Sequence, residues 1–178
     1  MAPAVEHAFT EPLPSAVIVD ADFVVNVLNE AEEFHNDCTL FARRLLASDV
    51  LVVYSQLIRL EVIAGWRNSI RQSRLPAVVR GRQAGALPAL EEGYRAGLSL
   101  LARFLSAFRR REVRLSIRLQ EAAVPYMARH NLRPMDACLV AAAFTAGVPH
   151  IASLDRDLRK VDGIELWNDR IPARRRRR

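Results

Sequence analysis

Cysteine is nearly absent. Cys38 and Cys138 are the only two in the chain, too few for a disulfide framework, and both fall in apolar helical patterns that mark reduced core residues. Lysine is scarcer still, with Lys160 standing alone. No apolar run approaches the roughly 18 residues that cross a bilayer, so no membrane association is expected. Met1 to Pro14 contains Glu6 and Glu11 and lacks the basic start and apolar stretch of a secretory signal, which makes a cytoplasmic location the expectation. No glycine-rich phosphate loop is present. His7, His35, His130 and His150 show no metal-ligand spacing, and Ser55 and Ser153 have no histidine partner for a nucleophilic triad.

The chain has the balance of a soluble globular protein, with 51% hydrophobic and 26% charged residues, and its 178 residues suit one domain with room for an insertion. The net charge is +6 despite twenty acids, and arginine carries almost all of the positive charge. Its planar fork suits phosphate, and a basic balance attracts nucleic acid by counterion release. A GC-rich genome that favours arginine codons is the alternative explanation. The run Arg174 to Arg178 is either an RNA grip, with Arg174, Arg175 and Arg176 as candidate substrate contacts, or a solvated end.

Short β-branched runs alternate with helical patterns. Ala16 to Asp20 and Val50 to Tyr54 read as strands apolar on both faces, Val148 to Leu154 as a strand ending at Asp155, and Ile164 to Trp167 as a last strand. Glu112 to Leu115 reads as a short edge strand. Helices are expected over Asp22 to Leu28, Phe34 to Ala47, Gln56 to Ser73, Leu87 to Phe108 and Ser116 to His130, where Pro125 should shorten or kink the last. A further helix opens at Pro134 and stops at Gly147. The fold class is α/β, with a mostly parallel sheet covered by helices on both faces. Gly81 to Gly85 is the most loop-like stretch.

Four acids stand where charge is least welcome. Asp20 and Asp155 close buried strands, Asp136 lies in the first turn of an apolar helix, and Glu61 lies about two turns into another. In an open parallel sheet, ligands bind beyond the carboxyl ends of the strands where strand order reverses. Four carboxylates gathered there repel one another unless protons or divalent ions relieve the charge. Oxygen donors without nearby histidine or cysteine select hard cations such as Mg2+ or Mn2+. Asp22 and Asp157 repeat the spacing two residues on and would be outer ligands or would orient the inner ones. Taken singly, each acid has a plainer role as a turn residue, a helix cap or a surface ion-pair partner.

Together the segments resemble the PIN-domain nucleases, and among them the VapC-type toxins of bacterial toxin–antitoxin pairs. Val17-Ile18-Val19-Asp20-Ala21-Asp22 looks like the opening strand and first acidic motif of that family. Leu60-Glu61-Val62-Ile63-Ala64-Gly65 is similar to its glutamate-bearing helix. Leu132-Arg133-Pro134-Met135-Asp136-Ala137 looks like the third acidic motif, and Ala152-Ser153-Leu154-Asp155-Arg156-Asp157-Leu158 resembles the fourth. The resemblance implies a three-layer α/β/α fold and metal-dependent endoribonuclease activity, with Asp20, Glu61, Asp136 and Asp155 as the catalytic metal-ligand set. It places Ser153 at the substrate. It also implies an RNA substrate, a small cognate antitoxin and a homodimer. On this reading residues 1–15 are an N-terminal extension, 16–169 the nuclease domain with a helical insertion over roughly 74–110, and 170–178 a basic tail.

Two other functions fit parts of the sequence. Asp20-Ala21-Asp22-Phe23-Val24 matches the opening motif of haloacid dehalogenase-type phosphatases, in which Asp20 would be a nucleophile. Those enzymes need a lysine before their final acidic motif, whereas Lys160 follows Asp155. A non-catalytic RNA-binding or scaffolding protein of the same fold is the second alternative, and the presence of all four acids weighs against it.

Overall fold

The computed structural model describes residues 3–72 and 87–169; the side chains described exclude those of residues 66–72 and 87–90. Its strands are β1 (Val5–His7), β2 (Ala16–Val19), β3 (Leu51–Ser55), β4 (Arg110–Val113), β5 (His150–Ala152) and β6 (Glu165–Trp167). Its helices are α1 (Ala21–Leu28), α2 (His35–Ala47), α3 (Ile58–Gln72), α4 (Leu87–Ser106), α5 (Ile117–His130) and α6 (Pro134–Ala146), with a 3-10 helix over Arg156–Lys160. The six strands form one sheet in the order β1-β6-β5-β2-β3-β4, and every pairing is parallel.

Parallel strands buried on both faces need apolar residues at every position, and β2 supplies them: Val17, Ile18 and Val19 are all buried. Their alternation sorts the interior into two cores. Val17 and Val19 face Phe23, Phe41, Leu45, Ile58 and Leu101 of the α1 to α4 layer. Ile18 faces the other side with Ile151 and Leu166, against Leu119 of α5 and the run Ala137 to Ala143 of α6. The result is a three-layer α/β/α architecture.

Strand order creates the crevice. From β2 the chain moves outward through β3 and β4, then returns to place β5 on the opposite side of β2. Loops leaving the carboxyl ends of β2 and β5 therefore part in opposite directions, which leaves a gap between them. The helix α6 has proline in its first turn and ends at Gly147, whose φ of 67° is the left-handed conformation that glycine adopts without penalty.

Several elements differ from the sequence expectations. Glu61 stands in the first turn of α3, because the residues after β3 form a turn before the helix begins at Ile58. Strand β5 stops at Ala152, so Asp155 caps the 3-10 helix instead of ending the strand. The helix α5 runs through Pro125 without interruption. The edge strand β4 lies two residues earlier than expected. Strand β1 was not foreseen: it is short and polar, and it is held by pairing with β6 and by His7 stacked on Trp167. Gly81 to Gly85 and Arg174 to Arg178 lie outside the described residues.

Candidate active site

Asp20 is set at the end of β2 by the sheet itself, since its backbone N–H still donates to Ala152 of β5 at 3.0 Å. Its side chain caps α1, with Oδ1 accepting from Ala21 N at 2.7 Å. Its other oxygen, Oδ2, accepts from the Ser153 hydroxyl at 2.6 Å. The same hydroxyl oxygen accepts the Asp155 N–H at 3.0 Å. Asp22 crosses to the β5 side, where its Oδ2 accepts the Leu154 N–H at 2.9 Å. Thus Ser153 ties the first and fourth acidic segments together. It is 0% exposed, so its hydroxyl organises the acids and does not face a substrate.

Glu61 and Asp136 complete the arrangement from α3 and α6. A cleft of about 470 Å³ is lined by Asp20, Asp22, Glu61, Asp136 and Asp155, together with Asn26 and Glu32. Four segments far apart in sequence are brought to one place. Asp157 is not among the lining residues; its Oδ1 accepts from Lys160 at 2.6 Å, which holds its carboxyl below the usual range.

The acidities show what this gathering costs. Burial raises Asp20 above the ordinary carboxylate value. Asp22 is raised well above it, first by burial and then by the charge of Asp20. Burial, aided by Asp20 and Asp136, lifts Glu61 to about 7. Burial followed by Asp155 and Asp20 lifts Asp136 to about 6. Desolvation leads in every case and mutual repulsion adds to it.

Asn26 and Glu32 were not anticipated. Asn26 donates to the Asp22 carbonyl at 2.9 Å and accepts the Phe34 N–H at 3.1 Å, so it fixes the α1–α2 turn beside the cleft. An amide four residues after Asp22 in an apolar helix was a usable signal. Glu32 had none, because it sits among other polar residues of a turn.

The donor set is compatible with a hard cation. Every cleft donor named above as a ligand is a carboxylate oxygen, and Asp136 Oδ2 is buried without a hydrogen-bond partner. Among the described residues, however, no three His, Cys, Asp or Glu side chains converge as a ready-made coordination sphere. The carboxylates line the walls of the cleft, and holding an ion would draw them inward.

This chain belongs to the PIN domain family: the family model, described as PIN domain, matches residues 17–164. That span contains all four acidic segments, and membership displaces the phosphatase reading of Asp20. Among solved structures the chain is similar to VapC20 of Mycobacterium tuberculosis, described as a sarcin–ricin loop cleaving toxin. The two share 21% identity with a TM-score of 0.52, covering 80% of this chain and 92% of that one. A toxin–antitoxin complex from Klebsiella pneumoniae is similar at 14% identity and a TM-score of 0.49, covering 83% of this chain and 94% of that one. No curated protein matches the chain.

Proposed function

We propose that this protein is a divalent-metal-dependent endoribonuclease and the toxin of a toxin–antitoxin pair. The observation that carries the reading is the convergence of Asp20, Glu61, Asp136 and Asp155 on one cleft in a chain of the PIN family. The description of VapC20 as a toxin that cleaves the sarcin–ricin loop supports RNA as the substrate class.

In this reading the four acids hold Mg2+ or Mn2+. Such an ion, when bound, polarises the phosphodiester and lowers the pKa of an attacking water. The chain's own residues perform the remaining tasks. Ser153 keeps Asp20 and the backbone of Asp155 at a fixed spacing. Asp22 bridges to the β5 side and stiffens the floor of the cleft. A carboxylate of this set left unbound by the ion is suited to take the proton that the water loses. Asp157 supports the 3-10 helix from outside the cleft.

We assign residues 16–169 to the nuclease domain, with an insertion over roughly 74–110 and a basic tail at 170–178 that contacts RNA. A homodimer and a small antitoxin partner belong to the same proposal, as does a cytoplasmic location. No described helix is long and apolar enough to cross a membrane.

The test compares the protein with Asp136→Asn on a labelled RNA pool, in Mn2+, in Mg2+ and with chelator. Cuts are expected only with metal, and the variant should lose at least about a hundredfold in rate, in keeping with removal of an essential electrostatic group, while remaining folded by circular dichroism. Cleavage that persists in the purified variant overturns the site assignment. A folded protein that binds RNA and never cuts it favours the scaffold alternative.

A further inference from the structure

A cleft built from carboxylates repels the phosphates it is meant to receive, so a cation is needed at its rim. Arg133 occupies such a position. It is the N-cap residue of α6, one helical turn before Asp136, and it is exposed. Its charge reaches both Asp136 in the cleft and Asp157 on the 3-10 helix and acts to lower the pKa of each, so it stands within electrostatic range of this wall. Among the described residues it forms no salt bridge. Three other arginines are committed elsewhere, Arg44 to the carbonyls of Phe9 and Glu11, Arg111 to the carbonyl of Ala146, and Arg159 to Glu6. Arg133 is thus a cation beside the acids whose fork is available to a ligand.

We propose that Arg133 is a positioning residue that receives a phosphate of the RNA backbone at the cleft rim and seats it over Asp136. The assignment rests on the nuclease reading given above. A guanidinium binds two non-bridging phosphate oxygens side by side, which fixes orientation as well as charge. A lysine at the same place supplies the charge without the fork. Because phosphate contacts carry no base information, the contribution of Arg133 is equal for all sequences.

The experiment uses the full chain and a fluorescein-labelled single-stranded RNA, with binding followed by anisotropy in chelator across a salt series. Arg133→Ala is expected to bind about tenfold more weakly, and its log K against log salt slope should be shallower by about 1. In Mn2+, KM should rise more than kcat falls. Arg133→Lys should restore the salt slope and only part of the KM. Unchanged affinity and slope in Arg133→Ala overturn the proposal, as does a loss confined to kcat. Wild-type protein that binds RNA without cutting it overturns the nuclease reading alone, since the binding comparison still decides the role of Arg133. Wild-type protein that binds no RNA overturns both.

Discussion

At the scale of single residues, the cleft depends on one hydroxyl. Ser153 has one proton to give, and the short 2.6 Å bond to Asp20 uses it, while Asp22 stands farther off at 3.3 Å. Removing that donor leaves a buried carboxylate short of a partner, which costs about 1–3 kcal/mol. Ser153→Ala should therefore lower the unfolding free energy by that amount in urea titrations and should also reduce metal-dependent cleavage. Full stability in the variant would mean that the hydroxyl is not the tie between β2 and β5 segments. Neither this role nor the burial of Ser153 was legible in the sequence, where a serine before an apolar residue and an acid has many settings. The acids themselves were legible, because a charge beside an uninterrupted apolar run is improbable without a purpose.

At the scale of elements, the position of Glu61 follows from how closely α3 lies on α1. A Cβ built on Gly65 would stand 3.0 Å from Val25 Cγ2, a contact that forces one of them to move. Gly65 is one turn beyond Glu61, so the glycine lets the two helices approach and bring Glu61 toward Asp20. Helix interiors favour alanine over glycine by about 1 kcal/mol, and here that gain opposes the clash. Gly65→Ala should thus stabilise a Val25→Ala background by close to the full amount and the wild-type background by clearly less. Equal effects in both backgrounds, measured as a double-mutant cycle, would remove the packing argument. Gly65→Leu should cost about 1–3 kcal/mol through overpacking and lower the cleavage rate by displacing Glu61. The amphipathic α4 was readable from its periodicity, β2 and β3 from their uninterrupted apolar runs, and α6 from its opening Pro134 and closing Gly147. The short strand β1 was not, because its residues Val5, Glu6 and His7 gain their order only from the partner strand β6. Asp155 moved from strand end to helix cap for a related reason: side-chain bonding to the Asp157 N–H at 2.8 Å decides that boundary, and hydrophobicity does not register it.

At the scale of the whole molecule, the carboxylates make stability depend on pH. Glu61 and Asp136 lie at about 7 and 6 in the folded, metal-free protein, above their ordinary values of 4.5 and 3.8. A raised acid binds its proton more tightly when folded, so its stabilising contribution is complete below the ordinary value and is lost as pH rises through the folded one. In chelator the melting temperature should fall between about pH 4 and pH 7 on this account, and both Glu61→Gln and Asp136→Asn should flatten the decline. Mn2+ should restore most at the alkaline end, where the carboxylates are ionised. A flat profile for the chelated wild type would show that neither burial nor mutual repulsion raises these acids in the folded protein. The all-parallel sheet has a further consequence, for synthesis. It contains no hairpin, so each pairing must wait for a crossover, and His7 meets Glu165 across 158 residues. Chains with such distant pairings fold late and slowly. The wall that carries Asp155 has no place to form until β5 has joined β2, and Ser153 is anchored through its N–H to Trp167 of β6. A nascent chain that has not yet emerged as far as Trp167 therefore carries its acids unassembled, and the cleft takes shape only once β5 and β6 have joined the sheet.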